Sequence, residues 1–427
     1  MPEPQTPLSD RPWENVGRML DVDAAKAEIL SAFSPLPEIE IASIEASGLV
    51  LAQNVPAENS VPPFRNSAMD GYAVRTCDIA GASWARPIRL RVVGNVAAGD
   101  EEIPSVGPGE AVRIMTGAML PAGADAVVRF EETDEFAQSR SRNEHEVAIL
   151  RAPAPLDNVR EAGEDVQKGS LAALAGQRLT PGMLGMLASV GVMTVPVHRR
   201  PVVAVLSTGN EVVEPADMLA PGKIRDSNAV VIASMARHWG AEVTMLGIAR
   251  DRVDDVTEKL RAARNADLIV TTGGVSLGDY DLVKDVLRAE GNVAIWQVRM
   301  KPGKPLAFGQ VGGTPLLGLP GNPVAAAISF LLFGRPAIRR MLGDRNLEPL
   351  TIEAIAGEPM DNRGQRRHYV RVRLEPDRDA GTIAVPVGEQ GAGVLSSFAA
   401  ADALLVLPEH LEHIEPGTRL QAILLPW

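Results

Sequence analysis

Cysteine is almost missing from this chain. Cys77 is the only one in 427 residues, which excludes an intrachain disulfide framework and a thiolate metal cage. A lone free cysteine ordinarily packs as a small buried hydrophobe, and that is the expectation for Cys77. Histidine is sparse too: the six (His145, His198, His238, His368, His410, His413) show no HExxH or paired spacing, so no zinc site is expected. Basic excess is lacking. A formal net charge of −12 argues against a nucleic-acid binder, which needs a broad basic face, and any anionic ligand must be met by a few local cations. The most apolar stretch, Val324 to Phe333, is far short of the roughly 20 residues that span a bilayer. The polar, proline-rich opening MPEPQTPLSDRPWE lacks the basic and apolar regions of a secretory signal. A cytoplasmic protein with no membrane contact is the expectation.

What is present belongs to a globular enzyme-sized chain: 45% hydrophobic and 22% charged residues over 427 positions, long enough for about three domains. After a polar tail, VDAAKAEILSAF has helical spacing, with Asp21 as N-cap and Pro35 as stop. From about Ala52 to Arg160, short apolar runs such as IRLRVVG and AVVRF alternate with glycine and proline turns, a small all-β insertion. Thr180-Pro181 then opens a helix that Gly191 closes. The middle of the chain alternates strand and helix: PVVAVLS, NAVVIASMARHWG, EVTMLGIA, DDVTEKLRAARNA, DLIVTTGG, a helix near YDLVKDVLRAEG, AIWQVRM, PLLGLPG and PVAAAISFLLFGRPAIRRML. That order predicts a doubly wound, mostly parallel sheet covered on both faces. Beyond about Gly343, HYVRVRLEP, TIAVPVG and ALLVLP read as strands of a small barrel or sandwich. The expected architecture is therefore α/β plus β. It comprises a tail (1–19), a linking unit (20–54 and 163–198), a β-rich insertion (55–162), the central α/β domain (199–342) and a C-terminal β-barrel (343–427).

In an open α/β sheet, ligands bind outside the carboxyl ends of the strands. Those ends carry Ser207-Thr208-Gly209-Asn210-Glu211, Arg250-Asp251, TTGGVSLGDYD (271–281), KPGKP (301–305) and Pro320-Gly321-Asn322-Pro323. Gly273 and Gly274 allow backbone N–H groups close to an anion, although a plain turn reads the same way. Pro302 and Pro305 stiffen the turn that bears Lys301 and Lys304, so two cations are held in place instead of wandering on a solvated surface. Asn322 and Pro323 fit the N-cap and first position of a helix, a role that could be wholly structural. Glu211, Asp251, Asp279 and Asp281 share the rim, with Asp70 and Asp165 in glycine-rich contexts outside the sheet. Hard oxygen ligands of this kind hold Mg²⁺ together with substrate phosphates, though any one of them is more often a cap or a solvated charge. A soft transition metal would have to bring its sulfur ligands with its substrate, and a dithiolene pterin supplies them.

Seven segments in order, NSAMDGYAV (66–74), RIMTGAMLPAGADAVV (113–128), GEDV (163–166), LSTGNEVV (206–213), TTGGVSLGDYDLVK (271–284), KPGKPLAFG (301–309) and GLPGNPV (318–324), resemble the signature series of the MoeA and gephyrin E-domain family of molybdopterin molybdenumtransferases. The resemblance runs from about residue 20 to the C-terminus. It implies an elongated homodimer whose active site is shared between subunits. The implied reaction inserts molybdenum from molybdate into adenylylated molybdopterin, releasing AMP with Mg²⁺ required. It also implies transient contact with the molybdopterin adenylyltransferase and with apo-molybdoenzymes. By motif match, Asp70 belongs to a loop that reaches the partner subunit's cleft. Asp165, Glu211 and Asp281 join it as catalytic acids, and Glu211, Asp251 and Asp281 form the Mg²⁺ site. The implied substrate and oxyanion contacts are Thr116, Ser207, Thr208, Gly209, Gly273, Gly274, Ser276, Lys301, Lys304, Pro320, Asn322 and Pro323. The arginine-aromatic-arginine pattern of GQRRHYVR adds Arg366 and Arg371, and the serine pair adds Ser396 and Ser397. Three positions depart from the family pattern: Asn210 where aspartate is frequent, Ala325 where serine is, and Arg65 where an acid is. The rival readings are a nucleotide-cleaving hydrolase built on the same α/β domain, a receptor-binding scaffold, and a homologue that takes tungstate.

Overall fold

Apolar β-branched runs that cannot face water on either side have to be sandwiched between helices. In the computed structural model, which describes residues 19–137, 145–274, 291–378 and 381–425, they form a seven-stranded sheet. Its strands are β1 (Met19–Leu20), β2 (Val202–Thr208), β3 (Glu242–Ala249), β4 (Leu268–Thr272), β5 (Gly291–Val298), β6 (Pro305–Val311) and β7 (Thr314–Leu319). The spatial order is β1-β5-β6-β7-β4-β2-β3. Only β6 runs against the rest, antiparallel to both β5 and β7. Strand β6 is absent from the sequence reading, which treats PLAFG only as part of a motif. The signal for it is the glycine pair Gly312-Gly313, at φ +58° and +86°, which makes the two-residue turn joining β6 to β7.

Successive side chains leave the sheet on opposite faces. Val203, Val205 and Val270 pack in one cluster with α1 (Val22–Leu30), α3 (Ser227–His238), α5 (Pro323–Ser329) and α6 (Arg335–Met341). Ala204, Leu206 and Ile269 pack in another against Val256 and Leu260 of α4 (Val253–Ala262). Each fully buried Val, Leu or Ile contributes about 1.5–3 kcal/mol, so both faces anchor the strand ends. The helix expected near YDLVKDVLRAEG lies outside the described residues. The last long helix is interrupted: Phe330–Gly334 is a wider, π-type turn between α5 and α6. A Cβ on Gly334 would fall 2.1 Å from the Phe330 ring, and Pro336 has no N–H to continue the regular ladder.

The capping expectations divide. Thr180 accepts from the Met183 amide at 3.3 Å and starts α2 (Pro181–Ser189). Asp21 stands at the start of α1 but makes no side-chain capping bond; its carboxylate sits 3.5 Å from Arg299 instead. Cys77 is also corrected. It lies exposed on a short surface turn between Arg75 and Asp78, because charged neighbours on both sides keep that turn in water.

Away from the central sheet, Gly71–Val74, Ile88–Val96, Glu110–Ile114, Ala126–Arg129 and Glu146–Ile149 form a five-stranded sheet. Short antiparallel pairs join Glu38–Ala42 to Thr194–His198 and Val55–Pro56 to Leu171–Ala173, with α2 packed over them. At the C-terminal end, Arg367–Asp377, Gly381–Pro386, Thr351–Ala356, Arg419–Leu424 and Ala403–Leu407 pair in a closed ring, a five-stranded barrel. Among the described residues, no helix is long and apolar enough to cross a membrane.

Candidate active site

The reversed direction of β6 decides where the lysines go. KPGKP joins the carboxyl end of β5 to the amino end of β6, so it stands on the same rim as the carboxyl ends of β2, β3, β4 and β7. All five rim loops line one open cavity of about 770 Å³, to which they give Thr208, Gly209, Glu211, Asp251, Gly273, Gly274, Lys301, Lys304, Pro320 and Asn322. The barrel closes the far side with Arg366 and the Gln390–Ala392 turn. Ser207 and Pro323 line a smaller adjoining recess of about 80 Å³ that shares Thr208, Glu211 and Gly273 with the cavity.

Local chemistry fixes each wall. Ser207 and Thr272 meet hydroxyl to hydroxyl at 3.0 Å, and Thr208 Oγ1 donates to the Thr272 carbonyl at 3.2 Å, pinning the ends of β2 and β4 together. A Cβ on Gly273 would meet Thr208 Oγ1 at 2.9 Å with φ at +85°, so only glycine turns here. The lysine turn is tied to the barrel, since Met300 and Lys301 pair in parallel with Arg367 and His368. It includes a cis Lys301–Pro302 peptide. Gly303, at φ +105°, presses on Ser329 of α5, whose Oγ would lie 2.6 Å from an added Cβ. Opposite stand the carboxylates. The Asn210 amide donates to Asp251 Oδ2 at 3.1 Å, and the Asp251 amide donates back to Asn210 Oδ1 at 3.3 Å. Asparagine at 210 therefore does the positioning an aspartate could do there.

The electrostatic layout is polarised. Among the described residues, Lys301, Lys304 and Arg366 have no acidic partner within 4.0 Å, and Glu211 has no basic one. His368 is buried beside them, and its pKa is pushed down to about 3 by burial and then by Lys301, Arg371 and Arg366. It is a neutral imidazole under a positive floor. Glu211 and Asp251 supply two carboxylates to the cavity, which suits Mg²⁺, an ion usually held by one or two carboxylates plus substrate oxygens. Among the described residues, no cluster of three or more His, Cys, Asp or Glu could hold a metal by itself; Ser276, Asp279 and Asp281 lie outside those residues.

Several expected contacts fall elsewhere. Arg371 is fully buried. Its Nη2 donates to the carbonyls of Glu389 and Gly391 at 2.9 and 3.1 Å, and its Nε donates to Ser397 Oγ at 3.1 Å. Ser397 in turn donates to the Val394 carbonyl at 2.7 Å. Arg371 and Ser397 hold the loop that walls the cavity, and neither they nor the exposed Ser396 is among its lining residues. Asn322 is placed as an N-cap but makes no side-chain capping bond, so its amide stays available to the cavity. Asp70 is exposed on the insertion sheet, where Oδ1 accepts from the Thr116 amide and hydroxyl, both at 2.7 Å. Those two bonds, the backbone one first, lower its pKa. Asp165 is exposed beside Val61. Neither acid, nor Thr116, borders the cavity within one chain. The sequence reading missed Gln390 and His368. A glycine-rich GEQGAG turn was the only hint of the first, and the second had none.

The family comparisons agree with this geometry. Residues 20–191 match the MoeA N-terminal region (domain I and II), residues 204–340 a probable molybdopterin binding domain, and residues 353–425 the MoeA C-terminal region (domain IV). The chain is 38% identical over 402 residues to molybdopterin molybdenumtransferase 2 of Mycobacterium tuberculosis, covering 92% of this chain and 96% of that one. The chain belongs to the MoeA family of molybdopterin molybdenumtransferases. A Bacillus subtilis member of that family is 36% identical over 377 residues, 88% of this chain and 87% of its own. A solved MoeA structure from Pyrococcus horikoshii superposes with a TM-score of 0.81 at 28% identity, covering 96% of this chain and all of that one. The likeness to MoeA thus spans the central sheet, the insertion and the barrel together.

Proposed function

We propose that the chain inserts molybdenum from molybdate into adenylylated molybdopterin, releasing AMP and molybdenum cofactor. The observation that carries this reading is the single cavity of about 770 Å³ with Lys301 and Lys304 on one wall and Glu211 and Asp251 on the other. That volume lies within the range of small-molecule sites. Its two walls suit two different parts of the reactants. The lysines would clamp the oxyanion as fixed point charges, while Gly273, whose own N–H is bonded to the Leu319 carbonyl at 3.1 Å, would let phosphate oxygens approach the Gly274 N–H. Glu211 and Asp251 would hold Mg²⁺ against the substrate's phosphate oxygens, where the ion acts as a Lewis acid on the phosphoanhydride. Attack of water on that anhydride would release AMP, while the dithiolene sulfurs, which the protein cannot replace with its one exposed cysteine, take up the metal in exchange for molybdate oxygens that leave as water. Bringing three components together in one cleft can contribute about 7–11 kcal/mol to the rate.

The placement of Asp70 outside its own chain's cavity supports a homodimer in which one subunit's insertion sheet completes the other's cleft. The adenylylating enzyme and the recipient apo-enzymes would meet the dimer transiently. Anaerobic incubation with adenylylated molybdopterin, Mg²⁺ and molybdate tests the reading. Metal-loaded cofactor and AMP in equal amounts are expected, and AMP without metal-loaded cofactor would mark a hydrolase instead. Mixing an Asp70→Ala chain with a Lys301→Ala chain should restore part of the activity that each lacks alone; no recovery in mixed dimers would contradict the shared site.

A further inference from the structure

The carboxylate wall of the cavity is braced from behind by an arginine that does not line it. Glu211 and Asp251 come from different strand ends, the first from the loop after β2 and the second from the turn after β3. The two strands run side by side as far as Thr208 and Ala249. Beyond them the Gly209 amide still donates to the Ala249 carbonyl at 3.1 Å. Gly209 then turns at φ +135°, and a Cβ on it would lie 2.6 and 2.7 Å from the two carboxylate oxygens of Glu211. The carboxylate therefore folds back over Gly209, in space that a side chain there would fill. Whatever fixes the backbone of this loop fixes the direction of Glu211.

The loop carbonyls from Asn210 to Val213 are all engaged. Those of Glu211 and Val213 accept from the Ile224 and Asp226 amides, both at 2.9 Å. The two that flank Glu211 receive side chains instead. Arg250 Nη1 donates to the Val212 carbonyl at 2.9 Å and to the Asn210 carbonyl at 3.4 Å, and Lys223 Nζ donates to the latter at 2.6 Å. One guanidinium nitrogen thus reaches the residues on either side of Glu211, while Arg250 is itself the chain neighbour of Asp251. The Arg250 amide donates to Asp255 Oδ2 of α4 at 2.7 Å, which holds the turn after β3. Arg250 is absent from the cavity lining, and among the described residues it has no ion-pair partner. An uncancelled positive charge behind a wall that takes a divalent cation is unfavourable by Coulomb repulsion alone. The gain has to lie in geometry.

We propose that Arg250 is a positioning residue for the divalent-cation wall, setting the spacing of Glu211 and Asp251 by clamping the carbonyls around Glu211 from the turn that carries Asp251. The inference rests on the reading of the cavity and deepens it. Titration of the full chain with Mn²⁺, which takes the same oxygen ligands as Mg²⁺, tests it, with the free ion read by electron paramagnetic resonance. Arg250→Met should raise the dissociation constant about tenfold, the usual loss when a group that orients metal ligands is removed. Arg250→Lys keeps the charge but is shorter and lacks the planar fork, so it should fall between Arg250→Met and the parent. Molybdate binding, followed by equilibrium dialysis, should stay within about twofold in both variants, because the lysine turn lies on the other wall. Were Arg250 only a neighbouring charge, Arg250→Met would bind Mn²⁺ more tightly and Arg250→Lys would match the parent. That result overturns the proposal, as does parental affinity in Arg250→Met or an equal loss of molybdate. Should Arg250→Met unfold the chain, Arg250→Lys still decides. Glu211→Gln is the control: Mn²⁺ binding that survives it, or that is unsaturable in the parent, would refute the carboxylate wall and this inference with it.

Discussion

The insertion sheet and the cavity rim treat charge in opposite ways. In and around the insertion sheet, charges are matched: Arg65 grips Glu161 through two bonds of 2.7 and 2.8 Å, Arg129 meets Glu132 at 2.7 Å, Arg113 meets Glu135 at 3.4 Å, and Arg91 meets Glu110. Surface pairs of this kind add little to stability and mainly keep a surface soluble and in register. On the cavity rim, among the described residues, Lys301, Lys304 and Glu211 face the opening without a partner of opposite sign. Charges that folding leaves unmatched inside a concavity are available to a ligand. The contrast separates residues that build the molecule from those that would work on a substrate.

Asp70 is the exception on the insertion side, since Thr116 holds its carboxylate through neutral hydrogen bonds and leaves its charge uncancelled. It is therefore where the comparison is broken most sharply: Asp70→Ala should abolish molybdenum insertion while leaving the circular dichroism spectrum unchanged. A variant that loads cofactor at the parental rate would remove Asp70 from the mechanism. Next in size, Lys301→Ala with Lys304→Ala should lower kcat/KM by about 10²–10³-fold, whereas Arg65→Ala, which breaks a matched pair, should change it by about twofold or less. Equal losses in those two variants would erase the distinction between the regions.

Two smaller effects sharpen it. Arg371→Met should cost about 2–4 kcal/mol, because the loop carbonyls it serves are left without donors; a lowered Tm and a raised KM for the oxyanion would report it. His368 gives a pH signature. Its folded pKa of about 3 lies below the ordinary 6.5, so the unfolded chain takes up the proton first as pH falls. Stability from this residue is whole above pH 6.5 and declines toward pH 3, by about 2 kcal/mol at pH 5. Denaturant midpoints measured at pH 7 and pH 5 should differ less in His368→Leu than in the parent chain.

Much of this was legible in the residues. Unbroken apolar runs such as Val202–Thr208 can only be covered strands, and glycine and proline punctuation marks the rim loops. Strand β6 is hidden because PLAFG continues the KPGKP motif; the Gly312-Gly313 pair ahead of the next strand is its signal, and pairing on both sides defines it. The contacts of Arg371 were hidden for a related reason. A motif can say that an arginine matters, but whether its guanidinium faces a ligand or its own loop depends on burial, and here the barrel strand turns it inward. Asn322 shows the same limit: its place at the helix start follows from Pro323, yet the direction of its amide does not.

The central claim is that loops distant in sequence form one cleft whose lysine wall grips an oxyanion. Anomalous diffraction at the molybdenum edge from molybdate-soaked crystals tests it directly. The account predicts a peak inside the cavity, within contact distance of Lys301 and Lys304, that disappears in the double lysine variant; a cavity without such a peak, or one unchanged when both lysines are gone, would contradict it.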